Sequence, residues 1–223
     1  MDKNLIYDIG MCDGEDTAYY LHKGYKVVGI EPSPLMIMKN YVRFREELIA
    51  EKLYFVHAAV GTTYKMEQFF TVPREPGLDR LLQNAPASEF VVPTYSAVIP
   101  LTAVLDRFGT PYYLKIDTEG NEAAILAQLN NRELPAYISS EAHSEEPVKT
   151  MYNLGYRKFK ITLHDTTRGP ICANEPNWKF QFLSSGPFGE NLPGDWVDIG
   201  AVLAQRANVY LTGVNWADVH AKL

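Results

Sequence analysis

Twice in this chain, a short apolar run carries an aspartate at or near its end and leads through a glycine-containing turn into a helix-forming segment. The first run covers residues 5–9 and precedes Gly10 and Gly14, and the second covers residues 112–116 and precedes Asp117 and Gly120. Repeated strand–turn–helix units build a parallel sheet, and ligands bind beyond the carboxyl ends of its strands. The sequence therefore predicts an α/β fold whose functional site lies at these two turns.

The rest of the chain fits an open α/β sheet that is mostly parallel, with an antiparallel edge at its C-terminal end. We expect that edge because residues 157–163 and 178–183 alternate, or nearly alternate, between apolar and polar side chains. The predicted strands are 5–9, 26–30, 53–56, 66–72, 112–116, 136–140, 157–163 and 178–183, and the predicted helices are 15–22, 34–50, 101–108, 121–129, 146–154 and 197–206.

We expect one domain over residues 1–223, with a loop insertion at about 73–100 and a loop-rich segment at about 164–196. Residues 73–100 contain five prolines and little periodicity, and a long irregular segment in a compact domain is typically a lid or a binding loop. We therefore expect residues 73–100 and 184–195 to close over a substrate.

Composition limits the possible partners and the location. The formal net charge is −6 and no basic cluster is present, which argues against nucleic acid as a partner. Two cysteines, Cys12 and Cys172, predict neither a disulfide framework nor a metal site. The most apolar stretch, residues 90–105, is interrupted by Pro93 and Pro100, so we expect no membrane span and a cytoplasmic protein.

The first turn indicates which cofactor the chain binds. Gly10 and Gly14 permit a close approach of backbone to ligand, and Glu31 at the end of the next strand can accept hydrogen bonds from ribose hydroxyls. Acids at 13, 15 and 16 would repel a pyrophosphate but suit S-adenosyl-L-methionine (SAM), which carries a sulfonium and an ammonium. A nicotinamide-dependent oxidoreductase, for which the third glycine is missing, and a plain strand-to-helix turn remain alternatives.

Together the two motifs resemble the FkbM family of SAM-dependent methyltransferases. That family pairs an opening of the type D-x-G-x-x-x-G-x-x-T, here residues 8–17, with a strand end of the type K-I-D-x-E-G-x-E, here residues 115–122. Glu31-Pro32 and Glu141-Ala142-His143 also fit, and the resemblance spans roughly residues 5–154. It implies a Rossmann-like class I methyltransferase fold with SAM as the cofactor.

The resemblance also implies which residues bind the cofactor. Residues of the first turn would shape the methionine pocket, Glu31 would bind the ribose, and residues after the third strand would lie near the adenine. Residues 57–60 offer no acidic side chain for the adenine amino group, so the backbone would recognise it. The expected cofactor-binding residues are Asp8, Gly10, Met11, Gly14, Asp16, Thr17, Glu31, Pro32, Ala58, Ala59 and Asp117.

Methyl transfer to a hydroxyl needs a positioned acceptor and a route for its proton. The catalytic candidates are Asp117 and His143, which follow neighbouring strands, and the rival pair His164 and Asp165. We expect no metal, with a divalent-ion site at Asp117, Glu141 and His143 as the weaker alternative.

The family resemblance implies that the acceptor is a sugar, a glycan or another natural-product small molecule, and that the reaction is O-methylation. A non-catalytic scaffold with the same fold is a further alternative. A homo-oligomer is possible through an exposed edge of the sheet.

Overall fold

The computed structural model describes residues 1–71, 80–81, 92–165, 169–170, 175, 177–181, 184–211 and 217–223. Its strands are β1 (Asp2–Ile9), β2 (Lys26–Ile30), β3 (Leu53–Val56), β4 (Ala59–Gly61), β5 (Lys65–Thr71), β6 (Arg80–Leu81), β7 (Val92–Pro100), β8 (Pro111–Ile116), β9 (Tyr137–Glu141), β10 (Lys158–Asp165), β11 (Gly169–Pro170) and β12 (Ala217–Lys222). Its helices are α1 (Glu15–His22), α2 (Pro34–Arg43), α3 (Arg45–Ile49), α4 (Leu101–Phe108), α5 (Glu122–Leu126), α6 (Glu146–Leu154) and α7 (Ile199–Leu211), with 3-10 turns at Ala127–Leu129 and Gly189–Asn191.

The central sheet has the strand order β11-β10-β12-β9-β8-β1-β2-β3. The strands β9, β8, β1, β2 and β3 pair in parallel, whereas β12 runs antiparallel to both of its neighbours, β9 and β10. The predicted mostly parallel sheet with an antiparallel C-terminal part is therefore confirmed. The sequence patterns did not reveal Ala217–Lys222, the strand that pairs antiparallel with both β9 and β10.

The sheet is buried on both faces because successive side chains of a strand point to opposite sides. On β1, Tyr7 and Ile9 belong to one core cluster together with residues of α4, α5, α6 and α7, whereas Ile6 belongs to a second cluster with residues of α1. Phe180 and Phe188, from the segment before α7, complete the second cluster. Asp8 lies on the Ile6 side, so the polar ends of the strands are covered by α1 and by this segment.

A second sheet of order β4-β7-β5-β6 lies between β3 and α4 in the chain. Its strand Val92–Pro100 contradicts the expectation that residues 73–100 form a loop. The prolines argued against a strand in the sequence, but side chains alternate between buried and exposed in the structure: Ser96 and Val98 are buried and Tyr95 is exposed. Pro93 and Pro100 pair near the ends of the strand, where a missing N–H is tolerated best. Residues 73–79 and 82–91 of the expected lid lie outside the described residues.

Two further predictions need correction. Residues 178–181 do not form a strand: Trp178 makes an isolated bridge to Glu175, and the rings of Trp178 and Phe180 pack at a tilt against Tyr19 of α1. Their alternation thus serves packing on a helix. The predicted helix 34–50 is broken at Phe44, whose φ of −109° and ψ of 27° separate α2 from α3 while its ring is buried.

No helix in the described part of the chain combines the length and the apolar character that crossing a membrane requires.

Candidate functional site

At Gly10 the ends of the parallel strands β1 and β8 approach each other so closely that a side chain would collide with the backbone. A Cβ atom built on Gly10 would lie 1.7 Å from the backbone oxygen of Asp117, and Gly10 has a φ of 78°. The amide of Asp117 donates to the Ile9 carbonyl at 3.0 Å, and the amide of Gly10 donates to the Ile30 carbonyl at 2.9 Å. Only glycine fits this position, so the two motifs found in the sequence meet at one point.

Lys115 joins the acidic residues of the two motifs. Its Nζ atom lies 3.3 Å from Asp8 Oδ1, 3.1 Å from Asp16 Oδ2 and 3.6 Å from Asp117 Oδ2, and its side chain is 5% exposed. Burial alone would lower the pKa of Lys115, but the three carboxylates together hold that pKa well above its usual range. Lys115 is therefore a fixed buried cation that keeps three acids together beneath the turn.

Asp8 and Thr17 lie together in this network, with the Thr17 hydroxyl donating to Asp8 Oδ2 at 2.6 Å. Burial raises the pKa of Asp8, and the ammonium of Lys115 partly offsets that effect. Asp16 instead ties α1 to the segment before α7, because Asp16 Oδ1 accepts from the Ser184 hydroxyl at 2.6 Å and from the Ser185 amide at 2.9 Å. These side chains shape the floor of the turn.

Glu31 lies at the end of β2 with its carboxylate turned toward the first turn. Its Oε2 accepts from the Cys12 amide at 2.9 Å, and its Oε1 accepts from the Ser33 amide at 2.7 Å. Glu31 is buried, and a carboxylate oxygen that accepts one hydrogen bond still has a lone pair for another. The arrangement holds an acceptor group in a fixed orientation beside Gly10.

Other residues predicted in the first turn have structural roles. Gly14 caps α1 with a φ of 83°, and a Cβ there would lie 2.5 Å from the ring of Phe44. The side chain of Met11 points into the core, where its sulfur lies against Gly29. Burial and the nearby acids raise the pKa of the Cys12 thiol, which favours its neutral form.

The residues expected near the adenine follow β3. Ala58 and Ala59 are buried, and the Ala58 amide donates to the Val56 carbonyl at 3.0 Å. The Pro32 carbonyl lies 3.2 Å from His57 Nε2, which links the ends of β2 and β3. Small side chains at these positions leave backbone groups as the available polar contacts.

Carboxylates are concentrated beyond the ends of β8 and β9. Burial raises the pKa of Asp117 to about 7, although the Lys115 ammonium opposes that shift. Burial also raises the pKa of Glu141 to about 10, with further contributions from Asp117 and Asp218. Several acids therefore share one poorly solvated region.

His143 lies at the rim of this region and is half exposed. Its Nε2 atom is 2.8 Å from Glu141 Oε1, so the two residues form a pair at the end of β9. Arg206 of α7 donates to the carbonyls of Ala142 and His143 and fixes the backbone that carries the imidazole. The sequence paired His143 with Asp117, whereas the structure shows the His143 imidazole in contact with Glu141.

His164 is placed differently from the sequence-based expectation. It is completely buried, and its Nε2 atom lies 3.3 Å from Oδ2 of Asp218 on β12, rather than beside a solvent-facing acceptor. The expected partner was Asp165, whose side chain lies outside the described residues. Burial alone would raise the pKa of the Asp218 carboxyl, but the histidines opposite it, His164 and His220, lower that pKa to about 2.

His220, two residues after Asp218 and on the same face of β12, is also buried. Burial lowers the pKa of its imidazole to about 4, against the opposing effect of Asp218. His164 and Lys160 face it from β10 and Asp16 faces it from α1. This polar layer belongs to the interior of the protein.

Lys115, Asp218 and Arg206 are site residues that sequence reasoning missed. Lys115 could have been found, because a lysine in the apolar run Pro111–Ile116 at the same strand face as Asp117 must be buried and therefore paired. Asp218 and Arg206 carried no such signal, since their partners come from distant strands.

Comparison with known protein families identifies the family of this chain. The family model described as "Methyltransferase FkbM domain" matches residues 8–158, which is more than half of the chain. A search of curated proteins finds no match.

Among solved structures, the FkbM methyltransferase of Methylobacillus flagellatus is 17% identical, with a TM-score of 0.49 over 74% of this chain and 40% of that chain. A SAM-dependent methyltransferase of Archaeoglobus fulgidus is 12% identical, with a TM-score of 0.47 over 100% of this chain and 87% of that chain. The geranyl diphosphate C-methyltransferase of Streptomyces coelicolor, solved with S-adenosyl-L-homocysteine, is 13% identical, with a TM-score of 0.45 over 99% of this chain and 73% of that chain. The chain thus spans less than half the length of the Methylobacillus protein.

The parallel sheet and the glycine turn facing an acidic strand end define a Rossmann-like domain of the methyltransferase class. Within that class, the chain belongs to the FkbM family of SAM-dependent methyltransferases.

Proposed function

We propose that this chain transfers the methyl group of SAM to a hydroxyl of a small molecule such as a sugar, a glycan or a natural product. The observation that carries the proposal is the Glu31 carboxylate, which two backbone amides hold opposite the Gly10 turn. This position, beyond the carboxyl ends of β1 and β2, is where an open parallel sheet binds a nucleoside. The cytoplasmic location stays a prediction.

The charge of the turn supports SAM over a dinucleotide. Asp13 and Glu15 flank the start of α1, where Arg43 pairs with Glu15, while the buried Lys115 is held beneath the turn by three carboxylates. A pyrophosphate would be repelled by these acids, whereas the ammonium and sulfonium of SAM would be attracted to them. When bound, SAM supplies an electrophilic methyl group, and the protein's residues orient both the cofactor and the acceptor.

The acceptor would approach beyond β8 and β9, beside Asp117. There the Glu141–His143 pair is the group best placed to activate a hydroxyl, because His143 is half exposed and its backbone is held by Arg206. His164 is fully buried and its imidazole faces Asp218, in contrast to the half-exposed His143. We therefore assign activation of the hydroxyl to the Glu141–His143 pair and give His164 a structural role.

Calorimetric titration with SAM and S-adenosyl-L-homocysteine tests the cofactor. We expect binding by the wild-type protein and at least a tenfold weaker affinity for Glu31→Ala, because a charged hydrogen-bond partner of the ribose contributes about 1.5–3 kcal/mol. Glu46→Ala, which removes an exposed carboxylate of α3, is the matched control and should bind like the wild type. Binding of NAD instead of SAM would refute the proposal in favour of an oxidoreductase.

Formation of S-adenosyl-L-homocysteine with a panel of hydroxylated acceptors tests the reaction. We expect His143→Ala to lower kcat with a positive acceptor at least tenfold while SAM affinity is unchanged. His22→Ala, a substitution on α1 far from β9, serves as the control. Equal kcat for His143→Ala and the wild type would contradict the assignment of this residue.

A further inference from the structure

Three possible metal ligands meet at the ends of β8 and β9. Donor atoms of Glu119, Glu141 and His143 all lie within 4.8 Å of one another. The set differs from the one considered from sequence, because Glu119 takes the place of Asp117. Two carboxylates and an imidazole are ligands that divalent first-row ions accept.

Glu141 provides a second, independent observation at this cluster. The residue is 5% exposed, and its Oε2 atom accepts no hydrogen bond from the described residues. A buried carboxylate oxygen without a partner is costly and calls for a bound ion, water or proton. Its other oxygen lies 2.8 Å from His143 Nε2. That distance is close to the roughly 3 Å between adjacent ligands of an octahedral ion with bonds of about 2.1 Å.

The backbone holds each of the three residues in place. Glu119 has a φ of 58°, and the loop around it is fixed because Glu122 Oε1 accepts from the amides of Thr118 and Gly120, both at 3.0 Å. His143 is fixed by Arg206, as described above. Glu141 ends β9, which pairs with β8 and β12. The ligand positions are thus set by the fold before any ion binds.

The local charge also favours a cation. Asp117, Glu119, Glu122, Glu141 and Asp218 lie at this end of the sheet, and Lys115 is the ammonium group that reaches them in the described part of the chain. We infer that Glu119, Glu141 and His143 bind one divalent cation, of the Mn²⁺ or Zn²⁺ type rather than Ca²⁺, because one of the ligands is an imidazole.

The role of this cation rests on the proposed function. His143 faces solvent, so the ion would keep open coordination positions toward the approaching acceptor. An acceptor with two neighbouring oxygens, such as a vicinal diol, could fill two of these positions, and binding to the ion lowers the pKa of a hydroxyl. The Glu141–His143 pair would then act through the ion that it binds: the coordinated hydroxyl would lose its proton to solvent, its oxygen would take the methyl group, and SAM would leave as S-adenosyl-L-homocysteine.

Titration of the full chain with MnCl₂, after treatment with a chelator and desalting, tests the site directly. The electron paramagnetic resonance signal of free Mn²⁺ reports binding, and ZnCl₂ serves as a competitor. We expect one bound Mn²⁺ per wild-type chain, and at least a tenfold weaker affinity for Glu119→Gln and for His143→Ala. Both substitutions lie at exposed or half-buried positions, so thermal unfolding should verify that the variants are folded.

Glu145→Gln is the matched control, since this exposed carboxylate pairs with Lys149 outside the cluster. It should bind Mn²⁺ like the wild type. If the wild-type chain leaves millimolar Mn²⁺ and Zn²⁺ free, or if the two ligand variants bind as tightly as the control, the site does not exist.

The role needs a separate measurement. We expect a chelator to abolish turnover and added Mn²⁺ to restore it in the wild type, but not in Glu119→Gln. Full turnover in the presence of the chelator would overturn the catalytic role. Calorimetry with SAM in the same chelator tests the proposed function independently, because the cofactor residues lie outside the cluster. Mn²⁺ binding without SAM binding would refute the function and retain the metal site.

Discussion

Replacing Lys115 by methionine keeps most of the side-chain volume and removes the ammonium that three carboxylates share. The side chain is 5% exposed and lies 3.1–3.6 Å from Asp8, Asp16 and Asp117, so no water could replace the lost charge without rearrangement. Removing one partner of a buried ion pair typically costs about 3–5 kcal/mol. For a protein of this size, each kcal/mol lowers the melting temperature by about 2–4 °C, so we expect a decrease of about 6–20 °C.

Urea unfolding monitored by circular dichroism measures this effect. Lys149→Met is the control, because its exposed pair with Glu145 one helical turn away should contribute only about 0.3–0.5 kcal/mol. If the loss comes from uncompensated acids, the double variant Lys115→Met/Asp16→Asn should recover part of it. If Lys115→Met lowers the free energy of unfolding by less than about 1 kcal/mol, or if the double variant recovers nothing, the Lys115 ammonium does not stabilise the three buried carboxylates.

Three further predictions concern neighbouring features. Gly10→Ala should destabilise the protein by at least about 1 kcal/mol more than Gly24→Ala, because both glycines have positive φ but only the first meets backbone at 1.7 Å; equal losses in urea unfolding would contradict this. The buried His220 stays neutral in the folded protein, whereas its imidazole in the unfolded chain is protonated below about pH 6.5. The free energy of unfolding should therefore decrease as the pH is lowered from about 6.5 to 4. His220→Asn should therefore lose about 2–3 kcal/mol less than the wild type from pH 7.5 to 4.5, and parallel curves would exclude this origin. Ser184→Ala should cost about 1.5–3 kcal/mol in thermal unfolding, since its hydroxyl bonds the carboxylate of Asp16, whereas Ser144→Ala on an exposed turn should cost little.

The regular βα units were predictable because local pattern and tertiary environment agree. Helices Glu15–His22, Leu101–Phe108 and Glu146–Leu154 and strands Lys26–Ile30 and Leu53–Val56 match the sequence-based bounds. Residues 27–30 are buried on both faces of the sheet and residues 53–56 are buried or partly buried, so both strands have a continuous apolar sequence. Val92–Pro100 and Ala217–Lys222 were missed because prolines and polar inward residues such as Asp218 and His220 interrupt such a run.

The candidate site was predictable to the extent that it follows from strand ends. Gly10, Glu31 and Asp117 lie at the ends of β1, β2 and β8, as the two motifs require of a parallel sheet. Contacts between residues on strands that are distant in the sequence could not be predicted from the sequence. The pairing of His164 with Asp218 depends on the position of β12, and the meeting of Glu119 with His143 depends on the turn that follows β8. The assignment of these residues to cofactor and acceptor stays a prediction.

The place of β12 in the sheet has a consequence for how this protein is made. This strand lies between β9 and β10 in space but follows both in the chain, after α7. While a ribosome is still synthesising α7, β9 and β10 each present an unpaired edge, and the acids at the end of β9 remain accessible to water. Such edges can join other chains, and their closure needs contacts between distant parts of the sequence, which form slowly. Nascent chains of this protein should therefore depend on chaperones until the final strand has inserted.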